Sequence, residues 1–373
     1  GNIYSLGFYP AAKAGRTDPD KQFFETRHGP MRRVRGSWPG NLMAEELATA
    51  TPKARALFVI AGNPVLSVGG EQAMRDALEG VELVVTLDLY RNATGELADY
   101  VLPCTDGFER PDINMCGLGM QYRPYVQWAD PVVEPRGERK EEWWILGSIE
   151  QKLGMKSVLD AGPEPDLTTR LAHMMRSRGL DLDEVKATPR GVVLDPLTPG
   201  QFYSDWIQTA DGKVDCCPPI FETQGGLARC EAIFEELAAE PDGQLKLITL
   251  RTVHMHNSWY QNVERLKRPG QRDNPLCMNP ADAAGRGIAD GDRVRCRSAS
   301  GEIEARVAYD DALRPGVVAM THGWGNKRST GMQVAAQNPG VNANVLLPVG
   351  LGSYEPLSNQ AFMTGIPVEV TAS

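Results

Sequence analysis

The polar side chains best suited to chemistry are concentrated in one short stretch of the last third of the chain. They are Arg251, His254, His256, Asn257 and Ser258, and they include two of the five histidines. An apolar run from Leu247 to Leu250, typical of a buried strand, leads directly into them. Cationic and N–H groups at this density offer hydrogen-bond donors to an anionic ligand. The sequence therefore predicts a ligand-binding loop after this strand.

A second set of candidates lies where two predicted strands of the first third of the chain end. Gly62 and Asn63 follow the apolar run 56–61, and Asp88 ends the run 81–88. Ligands bind at the carboxyl ends of strands in open parallel sheets, where an acidic residue suits a ribose hydroxyl or a purine N–H face. Gly62, Asn63 and the following proline are also an ordinary turn, so these residues alone favour a nucleotide site and a structural turn equally. The glycine pattern of nicotinamide-dinucleotide sites is absent.

These strands belong to a predicted α/β unit. The continuous apolar run 56–61 predicts a parallel strand buried on both faces. A helix over 70–79, a strand over 81–88 and a shorter strand over 99–103 follow it, which indicates a right-handed βαβ crossover. Pro241, Asp242 and Gly243 then mark a boundary, so residues 1–243 are assigned to this domain with a connecting segment.

The remaining residues, 244–373, have a different pattern. Short strands are predicted over 245–250, 292–296, 302–309 and 317–321, with turns between them. Asn279 and Pro280 predict the start of a short helix, and Asp290 with Gly291 predicts a tight turn. Many short strands separated by turns indicate a barrel or a sandwich.

Composition excludes several classes of protein. The net charge is −9, from 39 Lys and Arg against 48 Asp and Glu, which argues against nucleic acid as the main partner. No apolar run is long enough to predict a membrane span. The 7 cysteines form no CxxC pair, which favours structural thiols in a reducing compartment and hence a cytoplasmic location.

Two blocks of residues together resemble a known family. The segments 61–64, 86–88 and 98–103, with Glu109 close behind, are similar to the third domain of molybdopterin-dependent oxidoreductases of the DMSO reductase family. The segments 279–294, 300–301, 315–318 and 341–346, with His322, resemble the molybdopterin-dinucleotide-binding domain of the same family. Their order and spacing along the chain agree with the family, and the second block is the more specific.

The resemblance implies a fold and a ligand. The fold is a Rossmann-like α/β domain followed by a six-stranded double-psi β-barrel. The ligand is a bis(molybdopterin guanine dinucleotide) cofactor that carries molybdenum or tungsten. Gly62, Asn63 and Asp88 would hold the guanosine or phosphate of one dinucleotide. The remaining implied contacts, with the pterin and pyrophosphate, come from Arg251, His254, His256, Asn257, Ser258, His322, Asn344 and Gln360.

The chain also departs from the family. No cysteine spacing suits the 4Fe–4S cluster that such enzymes carry near their N-terminus. The resemblance identifies no metal ligand in this chain, and the sequence starts at Gly1 without an initiator Met or a signal-peptide pattern. These departures predict the C-terminal half of an enzyme whose N-terminal half is its principal partner. The other expected partners are a small-molecule substrate and an electron-transfer protein. The loop 256–259 is most similar to formate-dehydrogenase-like sequences.

Two other functions remain open at this point. The large iron–sulfur subunit of respiratory complex I resembles the same family and keeps the fold as a scaffold without the cofactor. A generic nucleotide-binding module is the third possibility. The polar loop 251–258 and His322 favour the enzyme, because a scaffold has no need for converging donors.

Overall fold

The computed structural model describes most of the chain as two compact units, one within Pro103–Gln224 and the other within Asp20–Leu102 and Gly225–Ser373. The described residues are 23–32, 38–114, 124–161, 172, 175–176, 179–194, 200, 203–204, 207, 209, 211–223 and 225–373. Cys116 and His173 lie outside them. None of the described helices is long and apolar enough to cross a membrane.

The larger unit begins with a hairpin of β1 (Phe23–Thr26) and β2 (Gly29–Arg32) and continues into a three-stranded sheet. This sheet has the order β3 (Ala56–Ile60), β4 (Leu83–Asp88), β5 (Tyr100–Pro103), with β3 and β4 parallel. Its helices are Met43–Thr49, Pro64–Ser67 and Glu71–Glu79, with 3-10 turns at Gly40–Leu42 and Gly95–Leu97. The predicted βαβ unit is present.

Two local predictions for this region are wrong. Strand β3 is an edge strand, and Phe58 and Ile60 are 39% and 46% exposed, so it is not buried on both faces. The second prediction is that Asn41, with Glu45 and Glu46 in the following turn, caps the start of the first helix. Asn41 is instead buried, and its Nδ2 donates to the carbonyl oxygens of Pro348 (3.1 Å) and Ser353 (3.2 Å). Tertiary hydrogen bonds outweighed the local capping preference.

The smaller unit contains two short antiparallel pairs. They are β6 (Asp112–Ile113) with β8 (Trp128–Ala129), and β7 (Tyr125–Val126) with β9 (Val192–Val193). Its helices are Glu142–Lys152, Leu182–Ala187 and Ile220–Thr223, with a 3-10 turn at Val158–Ala161. Burial alone would raise the pKa of Glu109, but the backbone N–H groups of Asp106 and Arg136 and the Arg139 guanidinium together hold it below its ordinary value.

The barrel occupies the C-terminal part of the larger unit. Its strands are β10 (Leu245–Leu250), β11 (Leu276–Met278), β12 (Arg293–Arg297), β13 (Glu302–Tyr309), β14 (Val317–Thr321) and β15 (Ile366–Ala372). They close in the order β10-β14-β11-β13-β12-β15. The helices of this region are Gly226–Ala238, Pro280–Ala284 and Gln333–Gln337, with 3-10 turns at Glu264–Leu266 and Ala343–Leu346. The predicted six-stranded double-psi barrel is confirmed.

The barrel core follows from alternation along its strands. In β13 every second residue from Ile303 to Val307 is buried, and the residues between them are exposed. The core also includes Leu247, Met278 and Val318, all fully buried. Asn279 caps the helix Pro280–Ala284 as predicted, with its Oδ1 accepting from Ala281 N at 2.9 Å. A packed barrel of this kind gives its loops rigid attachment points.

Candidate functional site

Two neighbouring barrel strands bring the principal candidate residues together. Strands β10 and β14 are parallel, and Leu250 pairs with Thr321 at their carboxyl ends. The backbone N–H of His322 donates to the Leu250 carbonyl at 3.2 Å. The loop that begins at Arg251 and the segment that begins at His322 therefore leave the barrel side by side.

Asn257 joins these two segments. Its Oδ1 lies 3.0 Å from His322 Nε2. Both His256 (φ 43°) and Asn257 (φ 61°) are in the left-handed region, which side-chain-bearing residues seldom adopt. The Asn257 carbonyl packs so closely on Gly323 that a Cβ there would lie 1.8 Å from the carbonyl oxygen. The loop is thus held by a hydrogen bond and by a close backbone approach that only glycine permits.

His254 and His322, two of the histidines at this end, are held toward the neutral form. Burial lowers the pKa of His322, and the nearby charge of Arg251 lowers it further, although the backbone hydrogen bond to Leu250 acts in the opposite direction. Burial also lowers the pKa of His254, with a smaller contribution from Lys267. Neutral rings offer one donor and one acceptor each, which suits a heterocycle that has both.

The buried side chain of Lys267 holds the polar loop 251–260 on its interior side. Lys267 is 2% exposed, and its Nζ donates to the Tyr260 carbonyl at 2.8 Å and lies 3.7 Å from Met255 Sδ. Burial lowers the pKa of Lys267. On the exposed side, the His256 ring stacks on Tyr260 at 5.3 Å between centroids. Sequence reasoning missed Lys267, because its charged neighbours suggest a solvent-exposed segment.

The second set of predicted residues meets at the carboxyl ends of β3 and β4. Asp88 Oδ1 accepts from Leu89 N at 2.6 Å, and its Oδ2 accepts from Asn92 Nδ2 at 3.0 Å. The same Asn92 amide donates to the Gly62 carbonyl at 3.3 Å. Asn63 Oδ1 accepts from the Thr94 hydroxyl at 2.8 Å. Gly62, Asn63 and Asp88 therefore lie close together, and each takes part in fixing the turns.

Asn344 links the barrel to this sheet edge. Its Nδ2 donates to the Leu66 carbonyl at 2.7 Å, and its backbone N–H donates to Asn342 Oδ1 at 3.1 Å. Among the described residues, Asn344 Oδ1 and the hydroxyl of Thr252 are buried polar atoms without a hydrogen-bond partner. Such atoms are costly unless something else satisfies them.

The side chains of Ser258 and Gln360, the last two predicted site residues, take no part in the contacts described above. Ser258 takes part through its carbonyl, which accepts from Gln261 N at 3.2 Å. Gln360 is exposed, and its side-chain amide donates to the Ala361 carbonyl at 3.3 Å. No hydrogen bond within the described part of the chain joins Gln360 to the other candidates. Its role as a site residue stays a prediction.

Comparison with protein families identifies the class. A model described as "Molybdopterin oxidoreductase" matches residues 11–152, and one described as "Molydopterin dinucleotide binding domain" matches residues 245–358. The second match spans both the polar loop after β10 and His322. The chain belongs to the molybdopterin oxidoreductases of the DMSO reductase family.

Individual relatives agree with this assignment. The probable oxidoreductase YyaE of Bacillus subtilis is 29% identical over 71% of this chain and 39% of its own length. A dimethyl sulfoxide/trimethylamine N-oxide reductase of Rhodobacter capsulatus is 24% identical over 73% of this chain and 36% of its own length. The chain thus spans less than half the length of either relative.

A solved structure shows the same fold. Acetylene hydratase from Pelobacter acetylenicus superposes with a TM-score of 0.68 at 22% sequence identity. The match covers 90% of this chain and 46% of that protein. The fold described above is therefore shared with a protein of known structure.

Proposed function

We propose that this chain forms one wall of the site for a bis(molybdopterin guanine dinucleotide) cofactor in an oxidoreductase. The observation that carries the proposal is the convergence of Arg251, Asn257 and His322 at the shared end of the parallel strands β10 and β14. When bound, the cofactor would supply two-electron chemistry at its molybdenum or tungsten ion. The residues of this chain bind and orient it.

The two ends of the site have different chemistry. At the barrel end, the Arg251 guanidinium provides positive charge, and the neutral rings of His254 and His322 provide directional donors and acceptors. These groups match the pyrophosphate and the pterin. At the sheet end, Asn63 and Asp88 lie where a guanosine would meet an amide and a carboxylate.

The residues present fit the group that the family implies. The buried Oδ1 of Asn344 and the buried hydroxyl of Thr252 have no hydrogen-bond partner among the described residues. Thr252 belongs to the polar loop itself, and Asn344 contacts the segment that follows Asn63. A ligand rich in donors and acceptors would satisfy polar atoms that the protein leaves unsatisfied.

The test is metal and nucleotide analysis of the protein purified anaerobically with the rest of its enzyme. We expect molybdenum or tungsten with about two guanine nucleotides per metal ion, one for each half of a bis-type cofactor. A preparation that contains neither metal would refute the enzyme and favour a cofactor-free scaffold. Tight calorimetric binding of GDP by this chain alone, without any metal in the holoprotein, would favour a simple nucleotide-binding module.

The finer assignments remain proposals. The loop from His256 to Trp259 supports a formate-dehydrogenase-like activity, and the substrate is a small molecule. A 4Fe–4S cluster and the metal ligand are expected in the N-terminal half of the enzyme. That half is the first expected partner of this chain. An electron-transfer protein is the second partner, and the expected location is cytoplasmic.

A further inference from the structure

A chain of three amide side chains, two of them fully buried, connects the two ends of the proposed site. Asn63 Nδ2 donates to Asn326 Oδ1 at 3.4 Å, and Asn326 Nδ2 donates to Gln261 Oε1 at 2.6 Å. Gln261 Nε2 donates in turn to the Pro339 carbonyl at 3.1 Å. Asn326 and Gln261 are both 0% exposed. None of the functions assigned above uses these two residues.

The amide chain joins the turn after β3 to the end of the polar loop. Asn63 lies in the turn after β3, and Gln261 follows Tyr260 directly at the end of the polar loop. The Gln261 backbone N–H also donates to the Ser258 carbonyl at 3.2 Å, so this residue fixes the loop from both its backbone and its side chain. The amide chain thus runs from the nucleotide end to the loop end through the interior of one compact unit.

Such an amide chain has one low-energy arrangement. Each buried amide must keep its hydrogen bonds, because leaving a buried donor or acceptor unpaired is costly. A displacement of Asn63 therefore changes what Asn326 can accept, and the change passes to Gln261. The segment beyond Asn326 is anchored in parallel, since Ser329 Oγ donates to Asn326 Oδ1 at 2.9 Å and Thr330 N donates to Glu96 Oε1 at 2.6 Å.

We infer that Asn326 and Gln261 are positioning residues that couple the Gly62–Asn63 turn to the loop 251–260. A ligand that orders one end would then steady the other end. The inference deepens the proposed function and rests on it, because the coupling serves binding only if one dinucleotide spans both ends. The coupling itself is a property of the protein without ligand, and so it can be measured separately.

The experiment is hydrogen exchange followed by mass spectrometry on this chain without ligand. Asn63→Asp keeps the Oδ1 that accepts from Thr94, and it replaces the donor to Asn326 with a negatively charged acceptor. We expect peptides covering 252–261 to exchange about fivefold faster, the factor that corresponds to about 1 kcal/mol for one neutral hydrogen bond. In the reverse direction, Gln261→Met should speed exchange in 66–68, whose N–H groups bond to the Asn63 and Pro64 carbonyls.

Asn279→Ala is the matched control. Asn279 also uses both ends of its amide, to Ala281 N and to the Leu313 carbonyl, but it has no contact with the amide chain. Its effect should stay within 280–288 and 313. If Asn63→Asp and Gln261→Met also change only their own segments, the coupling is refuted. Failure of the proposed function would give a different result. The holoprotein would then contain no metal or nucleotide, while the ligand-free variants would still show the coupled exchange.

Discussion

His322 Nε2 and Asn257 Oδ1 lie 3.0 Å apart, and this hydrogen bond closes the gap between the two segments that leave the barrel after β10 and β14. The His322 ring is directed by the bond, and the Asn257 backbone is held in a left-handed conformation beside it. Backbone strain of this kind persists where the surrounding structure enforces it, and it is common at ligand sites. The pair therefore sets the geometry of the loop before any ligand arrives.

Replacing His322 tests the importance of this bond for the cofactor. We expect His322→Ala to lower the guanine nucleotide content of the holoprotein several-fold. His322→Gln should retain more of it, because a glutamine amide also donates to Asn257 Oδ1. The measurement is nucleotide released per protein after denaturation. Equal losses in the two variants would show that ring shape matters and that the hydrogen bond does not.

A methyl group at Gly323 should dislodge the polar loop. The added Cβ would lie 1.8 Å from the Asn257 carbonyl oxygen, and φ at Gly323 is +94°. We expect Gly323→Ala to lower the free energy of unfolding, measured by urea titration, by about 1–3 kcal/mol more than a control, a typical cost of overpacking. The control is Gly291→Ala, where φ is +87° and nothing lies within 4 Å of the added Cβ, so that it reports backbone strain alone. Equal losses would contradict the close approach.

The two half-buried histidines His254 and His322 should make stability depend on pH. The folded protein holds the pKa of His322 and of His254 below the ordinary value of 6.5. The unfolded chain therefore binds more protons once the pH falls below that value, so stability is full above it and is lost as the pH falls through the lowered folded values. We expect the free energy of unfolding, measured by urea titration at several values between about pH 5 and pH 7, to change less steeply with pH for His322→Gln than for the wild type. Identical slopes would show that His322 does not contribute.

Arg251 and His256 should matter more for cofactor content than for folding. Both side chains are exposed, and exposed substitutions usually change stability by less than about 0.5 kcal/mol. Arg251→Ala and His256→Ala should therefore lower metal and nucleotide content while thermal melting changes little. Arg297→Ala, an exposed arginine on β12, is the control and should change neither. Full cofactor content with a collapsed melting temperature would place the two residues in the fold instead.

Local sequence signals predicted much of the barrel. Asn279 caps its helix as expected, because a cap depends on residues two and three positions away. Strands β11 and β15 were not predicted, since β11 has only three residues and β15 contains Pro367, which weakens a strand signal. The burial of β3 was wrongly predicted, because an apolar run does not reveal whether a strand lies at the edge of a sheet.

The site was predicted less completely than the fold. Polar density identified Arg251, Asn257 and their neighbours, and the structure places Arg251 and Asn257 beside His322. Asn326 and Gln261 were missed because the hydrogen bond between them spans 65 positions of the sequence. Lys267 was missed for a related reason. Nothing in a charged segment indicates which lysine will be buried against a backbone carbonyl.

The order of barrel pairing also affects how the protein is made. Strand β10, which precedes the polar loop, pairs with β14 and β15, and its Leu245 lies opposite Val368. A ribosome must therefore synthesise more than a hundred further residues before β10 has both neighbours, and pairings this distant in sequence form slowly. Until then the barrel that positions the loop after Leu250 is incomplete. Cofactor insertion should accordingly follow synthesis of the barrel, and a nascent chain that stops before β15 should be a substrate for chaperones instead of a receptor for the dinucleotide.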